Sequence, residues 1–354
     1  MKKFLLIASV FLTIAVTTTA AQDIKIDDVK TPPSPAFVLM GIEPSAVERP
    51  TTPRALGASL LSALNDESSP SSPKNFALEV APYWLTSHPK LTYDQYNQPD
   101  FGQALLQSLS VSVATKQQTA GSDATPGSTL GGAGVRTAWL LGKPSSIEGQ
   151  LRTAIQNLAA DLAAKAPPMP GQPPPDPMND PTFTKLIDAF RNARYEGRWF
   201  IEAAAASTAL FTDNNAEKSQ HQKSGVWVTP SYRMSRTSFD SSTNTVTSQP
   251  NIDFLAVVRW ISDHTGTERT SPLDLGARLL WNNGDLSISA EHVERRRTSK
   301  NSSRTAAVGE FKLSDNMYLT ATFGKNFKDE NPKGTLIGIF GLHFGIGSKP
   351  VLSP

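Results

Sequence analysis

Short segments in which apolar and polar residues alternate dominate the second half of the chain. Between Leu273 and Ile346 these segments are joined by turn sequences such as Asn282-Asn283-Gly284-Asp285. In the segment 273–281 the odd-numbered positions are apolar, and most even-numbered positions are polar or glycine. Alternation with a period of two over consecutive segments predicts antiparallel β-strands that have one apolar and one polar face.

The same alternation can be followed through most of the chain. Eleven candidate strands lie at 75–85, 103–116, 135–141, 197–205, 225–234, 251–261, 273–281, 286–291, 303–313, 317–323 and 334–346. Most of them approach the roughly 9–11 residues with which a tilted strand crosses a bilayer, whereas strands of soluble sheets average roughly 5–6. Their polar faces are rich in Ser, Thr, Gly and Ala, as suits a confined lumen.

A membrane-spanning sheet has to close on itself, because lipid offers no partner for an open edge. Single-chain barrels have even strand numbers. The pattern therefore predicts an all-β fold, an antiparallel transmembrane β-barrel of about 12 strands, with ten as the alternative. We expect the missing strand within 237–249, within 35–42, or before Ser128.

Alternation also predicts which polar side chains point into the lumen. The lumen-lining candidates are Glu79, Arg136, Glu202, Arg233, Asp253, Arg259, Asp274, Arg278, Glu291, Glu310, Lys312 and His343. Such a set can line a polar channel and set its ion preference. It can equally pair across strands and fill a narrow lumen. The pattern leaves both readings open.

Tryptophans near strand ends are typical of the aromatic girdles at membrane–water interfaces. The predicted interfacial aromatics are Trp84, Trp139, Trp199, Trp260 and Trp281. The basic triplet Arg295-Arg296-Arg297 is interpreted as a strand end at a membrane or lipopolysaccharide surface.

The chain before the predicted barrel has a different composition. Residues 1–21 resemble a cleaved signal peptide, with Lys2 and Lys3 ahead of an apolar core that ends in small residues. Residues 22–74 form a proline-rich leader, the barrel is expected at 75–346, and 347–354 form a tail. We favour a flexible periplasmic leader over a segment that folds back to plug the pore. Within it, 54–64 is predicted to form a short helix.

One loop carries a different periodicity. Within an insertion at 143–195, apolar stripes with helical spacing predict two helices, at 147–165 and 182–194, separated by a proline-rich stretch. We expect the two stripes to pack on each other. The alternative is a contact site for an envelope protein partner.

Composition narrows the functional classes. There is no cysteine, which excludes disulfides and cysteine metal sites. Once Lys2 and Lys3 leave with the signal, the remaining 32 basic residues balance 32 acidic ones, so nucleic acid is not an expected partner. No nucleotide, cofactor or metal motif occurs, and we predict no enzyme. A serine–histidine lipase around His343 is the weakest alternative.

Three segments carry a family resemblance: FALEVAPYWL (76–85), LDLGARLLW (273–281) and MYLTATFGKNF (317–327). With them the chain resembles bacterial outer-membrane β-barrel proteins, and it is similar to uncharacterised envelope proteins that have a proline-rich periplasmic leader. The resemblance implies the outer membrane of a Gram-negative bacterium, with lipid and lipopolysaccharide as partners. The favoured function is a pore or passive transporter for small polar solutes, and the alternative is a structural or partner-binding barrel.

Overall fold

A computed structural model provides the structure of the chain. It describes residues 34–41, 45–47, 56–63, 75–86, 88, 91, 95–96, 98–117, 128–165, 179–234, 237–248, 250–265, 269–298, 301–314, 317–327 and 336–346. The predicted signal peptide and the predicted tail lie outside these residues.

The described residues contain a closed antiparallel barrel of twelve strands, which confirms the predicted fold. In chain order the strands are β1 (Leu56–Ala63), β2 (Asn75–Val80), β3 (Ser110–Gln117), β4 (Thr129–Leu141), β5 (Trp199–Phe211), β6 (Ser219–Met234), β7 (Thr237–Asp240), β8 (Thr245–Ser248), β9 (Asn251–Asp263), β10 (Leu273–Asn283), β11 (Leu286–Arg296), β12 (Ser302–Ser314), β13 (Met317–Lys325) and β14 (Leu336–Ile346). All except β7 and β8, which form a separate hairpin, belong to the barrel.

The strand that closes the barrel is β1, which pairs with β2 on one side and with β14 on the other. In the second pairing, Leu56 faces Ile346 and Ala63 faces Ile339. The predicted helix at 54–64 is therefore wrong, and the barrel begins at Leu56 rather than at residue 75. Two neighbouring strands satisfy the backbone hydrogen bonds of this segment, and that tertiary pairing overrides its weak helical spacing of leucines.

Other predicted strands need smaller corrections. The segment 103–116 is not one strand: helix α2 (Phe101–Ser108) precedes β3, and the Asp100 side chain accepts a 2.8 Å hydrogen bond from the Gln103 amide at its start. Strand β2 stops at Val80, because a 3₁₀ turn (Pro82–Leu85) opens with a proline. The segment 237–249, a predicted site for the twelfth strand, is the separate β7–β8 hairpin.

Exposed apolar side chains surround the barrel. Val113, Val135, Val226, Val258, Leu279, Ile288, Phe311, Phe323 and Phe340 all point outward and are exposed. An apolar outer face on a closed sheet is the reverse of a soluble barrel and is typical of one that spans a membrane. None of the helices in the described part of the chain is long and apolar enough to cross a membrane.

The predicted interfacial tryptophans divide into three groups. Trp199, Trp260 and Trp281 are exposed near strand ends, as an aromatic girdle requires. Trp139 is half-buried and stacks on Phe101, with ring centroids 6.2 Å apart. For Trp84 the prediction is wrong, because its ring is buried and its Nε1 donates a 2.7 Å hydrogen bond to the Gln107 carbonyl.

A small helical unit sits at one end of the barrel. Its helices are α3 (Ser146–Lys165) and α4 (Pro181–Ala193), and their apolar stripes pack together with Trp84, Tyr96 and the β7–β8 hairpin. The predicted packing of the two stripes is confirmed. We call the barrel end at which β4 stops and β5 starts the insertion end, and the opposite end the far end. Strand β1 starts and β14 stops at the insertion end.

Candidate functional site in the barrel lumen

The charged side chains on the inner face of the wall form a series of ion pairs. At the insertion end, Arg136 of β4 lies between two acids, with Nη2 2.5 Å from Glu79 Oε1 and Nη1 3.4 Å from Glu202 Oε2. Nearby, Arg233 and Asp253 form two hydrogen bonds of 2.9 and 3.2 Å. In the first cluster, two carboxylates share one guanidinium group.

The opposite arrangement occurs near the far end. Asp274 lies between two arginines: Arg259 Nη2 is 2.8 Å from Oδ2, and Arg295 Nε is 2.7 Å from Oδ1. All three side chains are buried. Two guanidinium groups therefore share one carboxylate at this end of the lumen.

Further ion pairs lie between these clusters. Arg278 donates to Glu310 over 2.8 Å, and Arg304 donates to Glu291 over 3.0 Å. Charged hydrogen bonds of this length are about twice as strong as neutral ones. The wall therefore carries ion pairs from one end of the lumen to the other.

The structure buries ten of the twelve predicted lumen residues and half-buries Glu310 and Lys312. Two lumen residues, Arg295 and Arg304, were not predicted from the sequence. Both could have been found, because Arg295 lies on the same face of its strand as Glu291, and Arg304 on the same face as Glu310. For Arg295 the predicted surface position is wrong: the side chain is buried against Asp274, and its guanidinium lies 3.9 Å from the Phe327 ring centroid.

A segment that precedes β1 in the sequence fills the lumen. We call residues 34–41 and 45–47 the plug. Its helix α1 (Pro35–Leu39) lies against β3, β4, β5 and β6, and every described plug residue except Gly41 is buried. The favoured reading of a flexible leader is therefore wrong for these residues, and the alternative of a segment that folds back into the pore is correct.

Glycines in the wall make room for the plug. A Cβ atom at Gly132 would lie 2.7 Å from Met40 Cε, and one at Gly134 would lie 2.7 Å from Pro35 Cβ. A Cβ atom at Gly225 would lie 3.1 Å from Leu39 Cδ1, and one at Gly276 would lie 3.1 Å from Val47 Cγ2 but closer still to Val293 of the wall. The Met40 Cε atom is the flexible end of a side chain and can move away from Gly132, whereas the ring carbon of Pro35 cannot, so a side chain at Gly134 would displace the plug. The inner surface of β4, β6 and β10 is shaped to this segment.

Polar contacts attach the other part of the plug to the wall. Glu291 accepts hydrogen bonds from Ser45 Oγ at 2.5 Å, from the Ala46 amide at 3.0 Å and from the Val47 amide at 3.3 Å. Arg278 adds donors at 3.0 Å to Ser45 Oγ and at 3.2 Å to the Val47 carbonyl. One acid and one base of the wall thus bind the plug backbone directly.

A small cavity remains between the plug and the wall near the far end. Its volume is about 20 Å³, room for roughly one water molecule or one small ion. Four basic side chains contribute to its lining, together with Ser45 of the plug. They are Lys223, Arg259, Arg295 and Arg304.

His343 lies in the wall between β1 and β13. Its Nδ1 is 2.9 Å from Ser59 Oγ, and its Nε2 is 3.2 Å from Thr320 Oγ1. The ring and both hydroxyl-bearing residues are buried. This geometry is that of a hydrogen-bonded residue of the lumen wall, and the buried ring presents no open approach for a substrate. In the described ranges, no group of side chains could hold a metal ion.

Comparisons with known proteins find similar barrels among solved structures but no related sequence. No family model and no curated protein matches the chain. Among solved structures, a KdgM porin aligns over 82% of this chain and 98% of its own, with 8% identity and a TM-score of 0.38. A mutant of Rh. blastica porin covers the same shares with 8% identity and a TM-score of 0.23.

A third solved structure, the P. putida toluene transporter TodX, aligns over 82% of this chain and 89% of its own, with 10% identity and a TM-score of 0.21. All three TM-scores lie below 0.5 and all identities below 25%. The function of the chain therefore has to be inferred from its own residues.

Proposed function

We propose that the protein is an outer-membrane channel for small polar solutes that the plug holds closed. A transmembrane β-barrel with an apolar belt and a predicted export signal fits the outer membrane of a Gram-negative bacterium. The polar, charged wall supports a path for water-soluble rather than apolar solutes.

The observation that carries the proposal is the division of the lumen between two parts of the chain. Most of the wall charges are neutralised within the wall, and a separate segment occupies the remaining space. A barrel with a purely structural role fills its lumen with side chains from its own strands. Here the wall instead has glycines where the plug lies, at Gly132, Gly134 and Gly225. Its inward-facing apolar residues, such as Trp227, Leu255 and Leu280, pack with apolar residues of the plug. Removal of the plug would therefore vacate the part of the lumen that it now occupies.

A disulfide between plug and wall tests the proposal. A Cβ atom at Gly132 would lie 3.2 Å from the Ala36 Cβ, so a movement of a few tenths of an ångström would reach the roughly 3.5–4.5 Å separation in disulfides. The chain has no native cysteine. We expect the oxidised Ala36→Cys/Gly132→Cys variant to show no openings in planar bilayers, and reduction to restore them.

The two single variants, Ala36→Cys and Gly132→Cys, are matched controls, because they contain the same substitutions without the tether. They should conduct equally in oxidising and reducing buffer. Equal conductance of the double variant in both buffers would exclude the plug as the gate. Silence of every variant, including the reduced ones, would exclude a channel. Heat-modifiable migration on gels and membrane fractionation report folding and location.

The alternative functions receive less support. The apolar stripes of α3 and α4 are buried among themselves, and their exposed positions, such as Gln150, Gln156 and Lys185, are mostly polar or small. A partner at the helical insertion would have to bind this polar surface. A lipid-modifying enzyme would need an accessible nucleophile, whereas Ser59 beside His343 is buried in the wall.

A further inference from the structure

We infer that helix α2 is a membrane-binding helix, whose outer face lies among the lipids at the edge of the bilayer. The side chains that it turns away from the protein are apolar: Phe101 is 74% exposed, Leu106 is 57% exposed, and Leu105 is exposed between them. The side chain of Gln107, which is polar, is buried. A surface helix in water has the reverse arrangement, with its apolar stripe against the core. The polarity of this helix therefore suits an apolar surrounding.

Helix α2 lies against the outer surface of the barrel wall. On β4 the side chain of Arg136 points into the lumen, so Thr137 and Trp139 point outward. Phe101 stacks on Trp139, with the ring centroids 6.2 Å apart, and Ser108 Oγ forms a 2.7 Å hydrogen bond with Thr137 Oγ1. The outer surface of the wall therefore continues onto the outer face of the helix.

The helix is also at the level of the aromatic girdle. Trp139 is two residues, or about 7 Å along the strand, from Leu141. Leu141 pairs with Trp199, an exposed tryptophan at the start of β5. Helix α2 leads directly into β3, on which Val111 and Val113 are exposed. Its apolar face is thus continuous with the belt at the height where tryptophans mark the membrane–water interface.

The occupant of this face is lipid, because the apolar belt with which it is continuous is itself a lipid contact. An amphipathic helix in this position lies in the plane of the interface, with its apolar face about 5–10 Å into the boundary between headgroups and acyl chains. The sequence of α2 has no charged residue, so its contact with the bilayer is apolar and requires no anionic headgroup.

The position of α2 has a consequence for the helical unit. The Gln107 carbonyl accepts the 2.7 Å hydrogen bond from Trp84 Nε1, and the Trp84 ring belongs to the apolar core of that unit. Lipid contact at α2 therefore holds the helical unit close to the membrane surface. The inference rests on the membrane-spanning barrel and requires no movement of the plug.

Fluorescence of a single labelled cysteine in phosphatidylcholine vesicles is the test, since the chain has no native cysteine. The full-length Leu106→Cys variant carries an environment-sensitive nitrobenzoxadiazole label. Nitroxide lipids quench a label at the depth of their nitroxide, near the headgroup or near the end of the acyl chain, and iodide quenches a label in water. We expect the label at 106 to be quenched mainly by the nitroxide near the headgroup and only weakly by iodide. Added phosphatidylglycerol should leave this result unchanged.

Two labelled controls mark the ends of the scale. The Val258→Cys variant, at an exposed position near the middle of β9, should be quenched most by the nitroxide near the chain end. The Gln156→Cys variant, at an exposed polar position of α3, should be quenched by iodide and by neither lipid. Heat-modifiable migration shows whether each labelled barrel is folded.

Several results would overturn the inference. Quenching at 106 by iodide as strong as at 156, without quenching by lipid, would place the face in water. Protection from both quenchers would show that a second copy of the chain or another protein covers it. A response equal to that at 258 would place the helix in the hydrocarbon core, away from the interface. Quenching by iodide at 258 as well would refute the membrane-spanning barrel and the inference with it, whereas a barrel that is silent in planar bilayers refutes the channel alone.

Discussion

The substitution Glu291→Gln is expected to shift the plug from its seated position toward release. The Glu291 carboxylate accepts three hydrogen bonds from the plug, donated by Ser45 Oγ and by the amides of Ala46 and Val47. An amide side chain keeps one acceptor oxygen and replaces the other by a donor. The three plug donors share Oε2, and Oε1 accepts from Arg304 Nε. The amide group therefore faces a donor in either orientation, so at least one hydrogen bond is lost and the remaining ones are no longer charge-assisted.

The apolar part of the plug favours the seated state. Burial of Phe37, Val38, Leu39, Met40 and Val47 contributes about 2 kcal/mol each, and the plug also covers apolar residues of the wall. The cost of fixing its backbone, about 1 kcal/mol per residue, opposes this contribution. The polar contacts of Glu291 and Arg278 add to the seated state, so their loss shifts the balance toward release.

The magnitude follows from the hydrogen bonds that are lost or weakened. Hydrogen bonds to charged groups contribute about 1.5–3 kcal/mol each, so a net loss of about 3 kcal/mol is expected. Such a loss raises the ratio of released to seated plug about 100-fold, since about 1.4 kcal/mol corresponds to a factor of ten. Single-channel recording in planar bilayers measures this ratio as the open probability.

The matched control is Asp253→Asn, which neutralises another buried acid of the wall that hydrogen-bonds to Arg233 at the insertion end. Heat-modifiable migration shows whether each barrel remains folded. The reasoning is refuted if Glu291→Gln stays folded and its open probability equals that of the wild type. It is also refuted if Asp253→Asn opens the channel to the same extent.

Further predictions concern packing and charge. Gly134→Ala places a Cβ atom 2.7 Å from Pro35 Cβ, and we expect a destabilisation of about 1–3 kcal/mol in denaturant titrations. Trp84→Ala removes a buried ring and its hydrogen bond to Gln107, so the helical unit should be cleaved sooner in limited proteolysis while the barrel keeps its heat-modifiable migration. Asp274→Asn leaves two buried arginines without their shared carboxylate, so the free energy of unfolding should fall by about 3–5 kcal/mol and the unfolding midpoint should drop. The control Asp240→Asn, at an exposed position, should change the midpoint little.

The sequence predicts the barrel well because its strands carry two distinct faces. Alternation alone identifies most strands and the charged residues that the wall buries. Alternation fails at Leu56–Ala63. The leucines at 56, 60 and 61 fit helical spacing, and the apolar residues Leu56, Ala58 and Leu60 fit strand spacing equally well. The pairing of this segment with β14, nearly three hundred residues away, settles its conformation, and local spacing contains no information about that contact.

The plug is the part of the site that alternation could not locate. The sequence from Ser34 to Val47 is apolar but has no consistent period, so its conformation cannot be inferred locally. A signal was nevertheless present on the wall. Glycines at 132, 134, 225 and 276 stand at inward-facing positions of long strands, where strand interiors disfavour glycine unless another backbone or side chain approaches closely. Several such glycines on one face predict a filler that the strands do not supply.

The pairing of charges explains why this lumen suits a closable path better than a permanent core. Arg136, Arg233 and Arg259 each bind acids of neighbouring strands, and the described plug residues carry no charged side chain. If the plug were a permanent core, its departure would leave buried charges without partners. Instead, these wall charges keep these partners whether or not the plug is present. Among the contacts between described residues, Glu291 and Arg278 exchange plug contacts for water on release, and they also retain Arg304 and Glu310 as partners. A change to the hydrogen bonds of Glu291 or Arg278 can therefore shift the balance between seated and released plug while the wall's own ion pairs remain in place.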